Sequence, residues 1–242
     1  MSLSPITTTT IIFDWDDTFL CSHLLFSLGY GLGTPQPTGV LAEELKLYAK
    51  AAITTLETAS KYGKVVIVTN AEDQWVQRSA QHFLPALVPH LDKVTIISAC
   101  TKYRDLHPGK TVLWKYLAFK ECLGIADTIT DISKRLEELK YEFGTGHTDE
   151  KSVCRHHNVL SFGDSLDEMT AITLLGKETP NMLVKSVKFE EQPKRVDVLV
   201  KQHQMVAENM AVLINHPGSI NYKLTVTLAE PIEEKKPQPI IV

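Results

Sequence analysis

Residues 64–69 read KVVIVT, and from Val65 to Val68 no polar position interrupts the run. A strand with one wet face alternates polar and apolar residues. A run that is apolar at every position has to be covered on both faces, which is the situation of a strand inside a parallel sheet sandwiched between helices. The run is far too short to cross a bilayer, and no apolar stretch in the chain approaches the roughly 18 residues that crossing needs. Similar runs recur at 10–13 (TIIF), 94–99 (VTIISA), 158–162 (NVLSF) and 181–189 (NMLVKSVKF). Helical spacing fills much of the rest, at 40–61, 72–84, 110–123, 166–175 and 194–214, with Gly63, Pro85, Pro89, Pro217 and Gly218 as stop signals. Strands alternating with helices predict an α/β domain with a mainly parallel sheet.

Three segments stand outside that rhythm. Residues 21–39 are rich in Gly and Pro and read as a long flap-like loop. Its Gly29, Gly31 and Gly33 lack the spacing of either phosphate-loop fingerprint and do not directly follow an apolar strand. Residues 126–156 are polar, with helix-compatible KRLEELK followed by GTGHTDEK, and residues 223–242 pass from alternation (KLTVTL) to a Pro-rich acidic end, so an edge strand or a flexible tail is expected there. The terminal PIIV reads as a frayed end rather than a strand added to a peptide-binding groove. The expected organisation is a single domain over 1–222 with an insertion at about 126–156.

The 242 residues carry a net charge of −4, so there is no global electrostatic footprint for nucleic acid or an anionic membrane, and neither is expected as a partner. Phosphate, if bound, is bound locally. The N-terminus has no basic region ahead of its apolar run, and Cys21, Cys100, Cys122 and Cys154 show no CxxC spacing, so a reducing compartment is expected, the cytoplasm with the nucleus left open. Cys154 lies near His147, His156 and His157, but a structural zinc site needs paired ligands at both ends, and this stretch reads as a polar loop entering a strand.

Active groups in a parallel α/β sheet collect at the C-terminal ends of its strands. Here the first strand ends in DWDDT (Asp14, Asp16, Thr18), the second in Thr69 and Asn70, the third leads to Lys110 at a helix start, and the fourth ends in GDSLDE (Asp164, Asp167, Glu168). Carboxylates converging at one rim repel unless a cation neutralises them, and oxygen ligands favour Mg²⁺, which lets substrate phosphate join its shell. A lysine and a threonine hydroxyl can hold phosphoryl oxygens. One carboxylate can attack phosphorus while an acid two residues on protonates the leaving oxygen. Positions i and i+2 share a side of an extended chain, so Asp14 and Asp16 can face one phosphate. Trp15, between them, is expected to pack the rim.

An apolar strand ending in DxDxT, a second ending in Thr, a downstream Lys and a strand ending in GD with further acids resemble, in that order, the haloacid dehalogenase (HAD) superfamily over roughly residues 10–215. The resemblance implies a Rossmannoid three-layer sandwich and Mg²⁺-dependent phosphatase chemistry through an aspartyl-phosphate. It makes Asp14 the nucleophile and Asp16 the general acid/base. Thr69, Asn70 and Lys110 would bind the phosphorylated substrate, and Asp14, the Asp16 carbonyl, Asp164 and Asp167 would serve the metal. The family's second acid in the last motif often falls four residues after the first, which here is Glu168, so Asp167 and Glu168 both stand open. Lys110 is preferred over Lys102 and Lys115 because it sits at the expected helix start. Neither usual insertion point leaves room for a full cap. A capless site admits a phosphoprotein or other large substrate; a small metabolite is the alternative, as is a catalytically silent binding module on the same fold. A receiver-type module is disfavoured, because its phospho-accepting Asp lies on a later strand and its length is about half.

Overall fold

The computed structural model describes residues 8–125 and 157–227. The apolar runs fold as β1 (Thr8–Phe13), β2 (Lys64–Thr69), β3 (Thr95–Ser98), β4 (His157–Gly163) and β5 (Met182–Lys188), and a short β6 (Ile220–Lys223) follows. These six strands form one sheet in the order β3-β2-β1-β4-β5-β6, every neighbouring pair parallel. Among the described residues there are eight α-helices: α1 (Ser22–Ser27), α2 (Gly39–Ser60), α3 (Trp75–Phe83), α4 (Val88–Leu91), α5 (Ala99–Tyr103), α6 (Thr111–Leu123), α7 (Leu166–Glu178) and α8 (Val196–Asn215).

The period-2 geometry of a strand divides each apolar run between two cores. Ile11 and Phe13 of β1, Val65 and Ile67 of β2, and Leu160 and Phe162 of β4 pack with α2, α3 and α8. Ile12, Val66, Val68 and Val159 point the other way and pack with α6 and α7. Both faces of the sheet are therefore covered, and the result is a three-layer, Rossmann-like α/β fold. No helix among the described residues is long and apolar enough to cross a membrane.

Three details differ from the sequence expectations. The 21–39 segment opens with α1, because Cys21 and Leu25 bury completely and hold one helical turn and a half against the core. The edge strand lies at Ile220–Lys223, ahead of the alternating KLTVTL stretch, since Lys185 to Lys188 of β5 pair with 220–223 and Leu224 closes the ladder with its N–H on the Lys188 carbonyl at 2.8 Å. Gly63 is not the stop itself, as α2 ends at Ser60. A Cβ at Gly63 would sit 2.3 Å from the Thr9 carbonyl oxygen, so the turn into β2 passes too close to β1 for any other residue. The 126–156 insertion, with Cys154, His147 and His156, and the tail beyond 227 lie outside the described residues.

Candidate functional site

The strand order reverses at β1: the chain runs out through β2 and β3, then returns to place β4 on the other side. Ligands of open α/β sheets bind in the crevice at such a switch point, outside the carboxyl ends of the two flanking strands. Asp14 leaves β1 there. Its N–H donates to the Phe162 carbonyl at 2.8 Å, which carries the ladder one residue past the strand and sets Asp14 beside Gly163 and Asp164.

Asp14, Asp164 and Glu168 each offer a carboxylate oxygen, all within 4.8 Å of one another. Lys115 of α6 reaches into this cluster from a fully buried position. Its ammonium donates to Asp14 Oδ1 at 2.5 Å and to the Val68 carbonyl at 2.6 Å, and its Nζ lies 2.9 Å from Glu168 Oε1. Three acceptors thus match the three N–H bonds of the ammonium. The acids raise the Lys115 pKa against the effect of burial, so it stays charged. Glu168 is committed at both ends. Its Oε2 accepts from the Ser165 hydroxyl and from the Ser165 N–H at 3.2 Å, completing a capping box at the start of α7.

Counting these three acids and one lysine, the ionised cluster carries two more negative than positive charges. Burial answers part of this by holding protons. It pushes Asp164 up to about 8, helped by Asp14 and Glu168, and it pushes Asp14 up to about 7 against the pull of Lys115. Glu168 is lowered, since Lys115 and Ser165 outweigh its burial. An all-oxygen, acid-rich donor set with a charge surplus of two suits a hard divalent cation rather than a thiophilic metal. Asp14 and Asp164 are the acids best placed to ligate it, because Glu168 is already spent on Lys115 and Ser165.

Asp16 stands two residues beyond Asp14, half-buried, with both carboxylate oxygens accepting from the Trp75 indole N–H at 3.0 and 3.2 Å. Burial raises its pKa, opposed by hydrogen bonds from Trp75, Ser22 and Thr69. Thr69, at the end of β2, acts on Asp16 from the same rim, its Oγ1 accepting from the Ala71 N–H at 2.9 Å. Asn70 follows it, its Oδ1 buried without a partner and its amide nitrogen 3.4 Å from the Thr111 carbonyl. Trp15 is fully buried, its indole N–H on Ser79 Oγ at 3.0 Å, so it packs the rim as expected.

Two expected residues are placed elsewhere. Lys110 is the N-cap residue of α6 with an exposed side chain, and the lysine on Asp14 is Lys115. The helix starts one residue later than Lys110, and its inward stripe runs Lys115, Ala118, Phe119, Cys122. A lysine in register with an apolar i, i+3, i+4, i+7 stripe is the signal that points to it. Asp167 is half-buried with its N–H on Ser165 Oγ at 3.1 Å, and Glu168 takes the place in the cluster. The sequence S-x-x-E from Ser165 to Glu168 carries that signal. Nothing in the sequence ties Trp75 to Asp16 across 59 positions.

Gly163 explains the GD pair sterically. A Cβ there would lie 2.6 Å from Glu168 Cγ and 3.0 Å from its Oε2. Gly163→Ala is therefore expected to push Glu168 off Lys115 and to cost about 1–3 kcal/mol, as overpacking does. Thermal unfolding checks this; an unchanged midpoint would mean the carboxylate is not wedged there.

The loop after β1 is tied down from below. Phe19 and Leu20 both donate N–H bonds to the Trp15 carbonyl, at 2.7 and 3.0 Å. Asp17 takes φ 50° and accepts from the His23 N–H at 3.0 Å, a left-handed position held by its own side chain. The Thr18 carbonyl meets Tyr48 Oη of α2 at 2.7 Å and His203 Nε2 of α8 at 2.8 Å. Tyr48 donates from its hydroxyl, and His203 donates from Nε2 while Nδ1 lies 3.0 Å from Thr55 Oγ1. His203 sits among Phe19, Tyr48 and Phe189, and burial pushes its pKa down to about 4 from 6.5. Between those values the unfolded chain binds the proton and the fold does not, so this contribution is whole above about pH 6.5 and is lost as pH falls through 4. The expected loss is about 3 kcal/mol. Urea unfolding of wild type and His203→Gln at pH 7 and pH 4.5 isolates it: the wild type should lose more, and equal losses would refute the assignment.

Compared with family models, curated proteins and solved structures, the chain matches none.

Proposed function

We propose that this protein is a Mg²⁺-dependent phosphatase of the HAD type, hydrolysing a phosphomonoester through an aspartyl-phosphate on Asp14. The observation that carries this reading is a buried carboxylate at the switch point, held by a buried ammonium on one oxygen, with a second acid two residues on whose pKa is raised.

The ionised Asp14 carboxylate attacks phosphorus. An O–P bond forms to Asp14 and the ester P–O bond breaks, the leaving oxygen taking a proton from Asp16. Burial of Asp16 favours the protonated form this step needs. The resulting Asp16 carboxylate then takes a proton from water as that water attacks phosphorus, phosphate departs and Asp14 is restored. Lys115 fixes the Asp14 carboxylate and offsets charge beside it, and Thr69 and Asn70 stand at the rim to meet phosphoryl oxygens. Glu168 and Ser165 hold Lys115 in place. Mg²⁺ held by Asp14, Asp164 and the Asp16 carbonyl would neutralise the acids and bind the phosphoryl group.

The described residues contain no cap-sized unit between β1 and β2 or between β2 and α6. That supports a site open to a phosphorylated protein or another large substrate. The expected result with 4-nitrophenyl phosphate is turnover in Mg²⁺, loss in EDTA and return on Mg²⁺ addition, with Asp164→Asn raising the Mg²⁺ needed. Activity confined to small sugar phosphates would sink the large-substrate reading. No turnover of any ester would favour a binding module on this fold.

A further inference from the structure

We propose that Phe26 and Trp75 form the leaving-group wall of the site and select phosphomonoesters of aromatic alcohols. The proposal rests on the reading of Asp16 as the acid that protonates the leaving oxygen. Trp75 is fixed against that acid, its indole N–H within hydrogen-bonding distance of both carboxylate oxygens. The Phe26 ring lies 5.9 Å from the indole at an interplanar angle of 42°. Phe26 is 51% exposed and Leu28, just past the same short helix, is 55% exposed, while Leu25, just before Phe26, is buried. Beside Asp16 there is thus a tilted aromatic pair whose outer ring, Phe26, meets water.

The geometry makes this surface part of the reaction path. An oxygen protonated by Asp16 lies within one hydrogen bond of the carboxyl that Trp75 touches, so its substituent begins beside the indole. A seryl or glyceryl ester brings a single methylene there; an aryl ester brings a ring. The groups acting on Asp16 are Trp75, Ser22, Thr69 and the buried Lys115, and Lys115 is already saturated by Asp14, Glu168 and Val68. Among the described groups acting on Asp16, the one cation is thus already committed, and the leaving group meets an indole and hydroxyls. For an aryl ester the O–P bond to Asp14 forms as the aryl C–O–P linkage breaks at phosphorus, and the phenolic oxygen leaves with the Asp16 proton. Offset or edge contacts between rings favour the aryl ester by roughly two- to tenfold.

The test compares kcat/KM for one peptide carrying phosphotyrosine or phosphoserine at the same position, in wild type, Phe26→Ala and Phe26→Tyr. Wild type should prefer phosphotyrosine severalfold, up to roughly tenfold. Phe26→Ala should bring the ratio toward one, through KM, and Phe26→Tyr should restore it. No preference in wild type, a ratio unmoved by Phe26→Ala, or equal loss in Phe26→Tyr would overturn the wall. Failure to hydrolyse either peptide, or any phosphate ester, would overturn the phosphatase reading instead. Phenyl phosphate is the third arm: a kcat/KM equal to that of the phosphotyrosine peptide assigns the ring alone, and a higher value for the peptide assigns a protein substrate.

Discussion

Asp14→Asn is expected to lower turnover of any phosphomonoester by at least roughly a thousandfold, because the amide cannot form the acyl-phosphate. The loss should fall on kcat and should not come from unfolding. Asparagine keeps the shape and leaves Lys115 with Glu168 and the Val68 carbonyl. It also removes one of the acids that crowd the cluster. In the metal-free wild type, Asp14 keeps its proton in the fold up to about pH 7, whereas the unfolded chain loses it near 4. Over that window the folded state binds the extra proton, so this group's contribution to stability falls as pH rises. Without metal at pH 8, Asp14→Asn should therefore melt no lower than wild type, and Mg²⁺ should stabilise it less. A variant that is inactive only because it melts early would contradict this account.

Lys115→Met should be the most destabilising single change at the site. The ammonium is 0% exposed and answers two buried carboxylates and a carbonyl. Removing one partner of a buried ion pair leaves uncompensated charge and costs about 3–5 kcal/mol. For a chain of this size that is a fall in Tm on the order of 10 °C. Part of the loss should return in excess Mg²⁺ or at low pH, where a cation or protons take over from the ammonium. Lys110→Met is the control. Its exposed side chain should leave stability within about 0.5 kcal/mol. Differential scanning calorimetry separates the two variants. Equal Tm values would mean that α6 does not anchor the acids.

The contrast between these lysines shows what the sequence can and cannot say. Continuous runs such as KVVIVT mark parallel strands because burial on two faces leaves no polar position, and the strands indeed fall where the runs do. The acids that follow β1 and β4 are visible as DWDDT and GDSLDE. That β1 and β4 are neighbours is not visible, since no local signal fixes the order β3-β2-β1-β4-β5-β6. Lys115 lies hidden for a related reason. A lysine inside a helix usually faces water, and only the cluster it neutralises makes its burial favourable. Glu168 was half legible: the capping box shows its reach to Ser165, but its second oxygen finds Lys115 only in three dimensions. Trp75 and Phe26 belong to tertiary structure altogether, because different elements bring Trp75 to Asp16 and Phe26 to Trp75.

The central claim is that Asp14 carries the phosphoryl group. Its most direct test is to quench the protein in acid during incubation with a phosphomonoester and Mg²⁺ and map the phosphorylated residue by mass spectrometry. The account predicts one acid-stable, hydroxylamine-labile phosphate on Asp14, absent in EDTA and absent in Asp14→Asn. Phosphate on a serine or histidine instead, or undiminished turnover by Asp14→Asn, would contradict it.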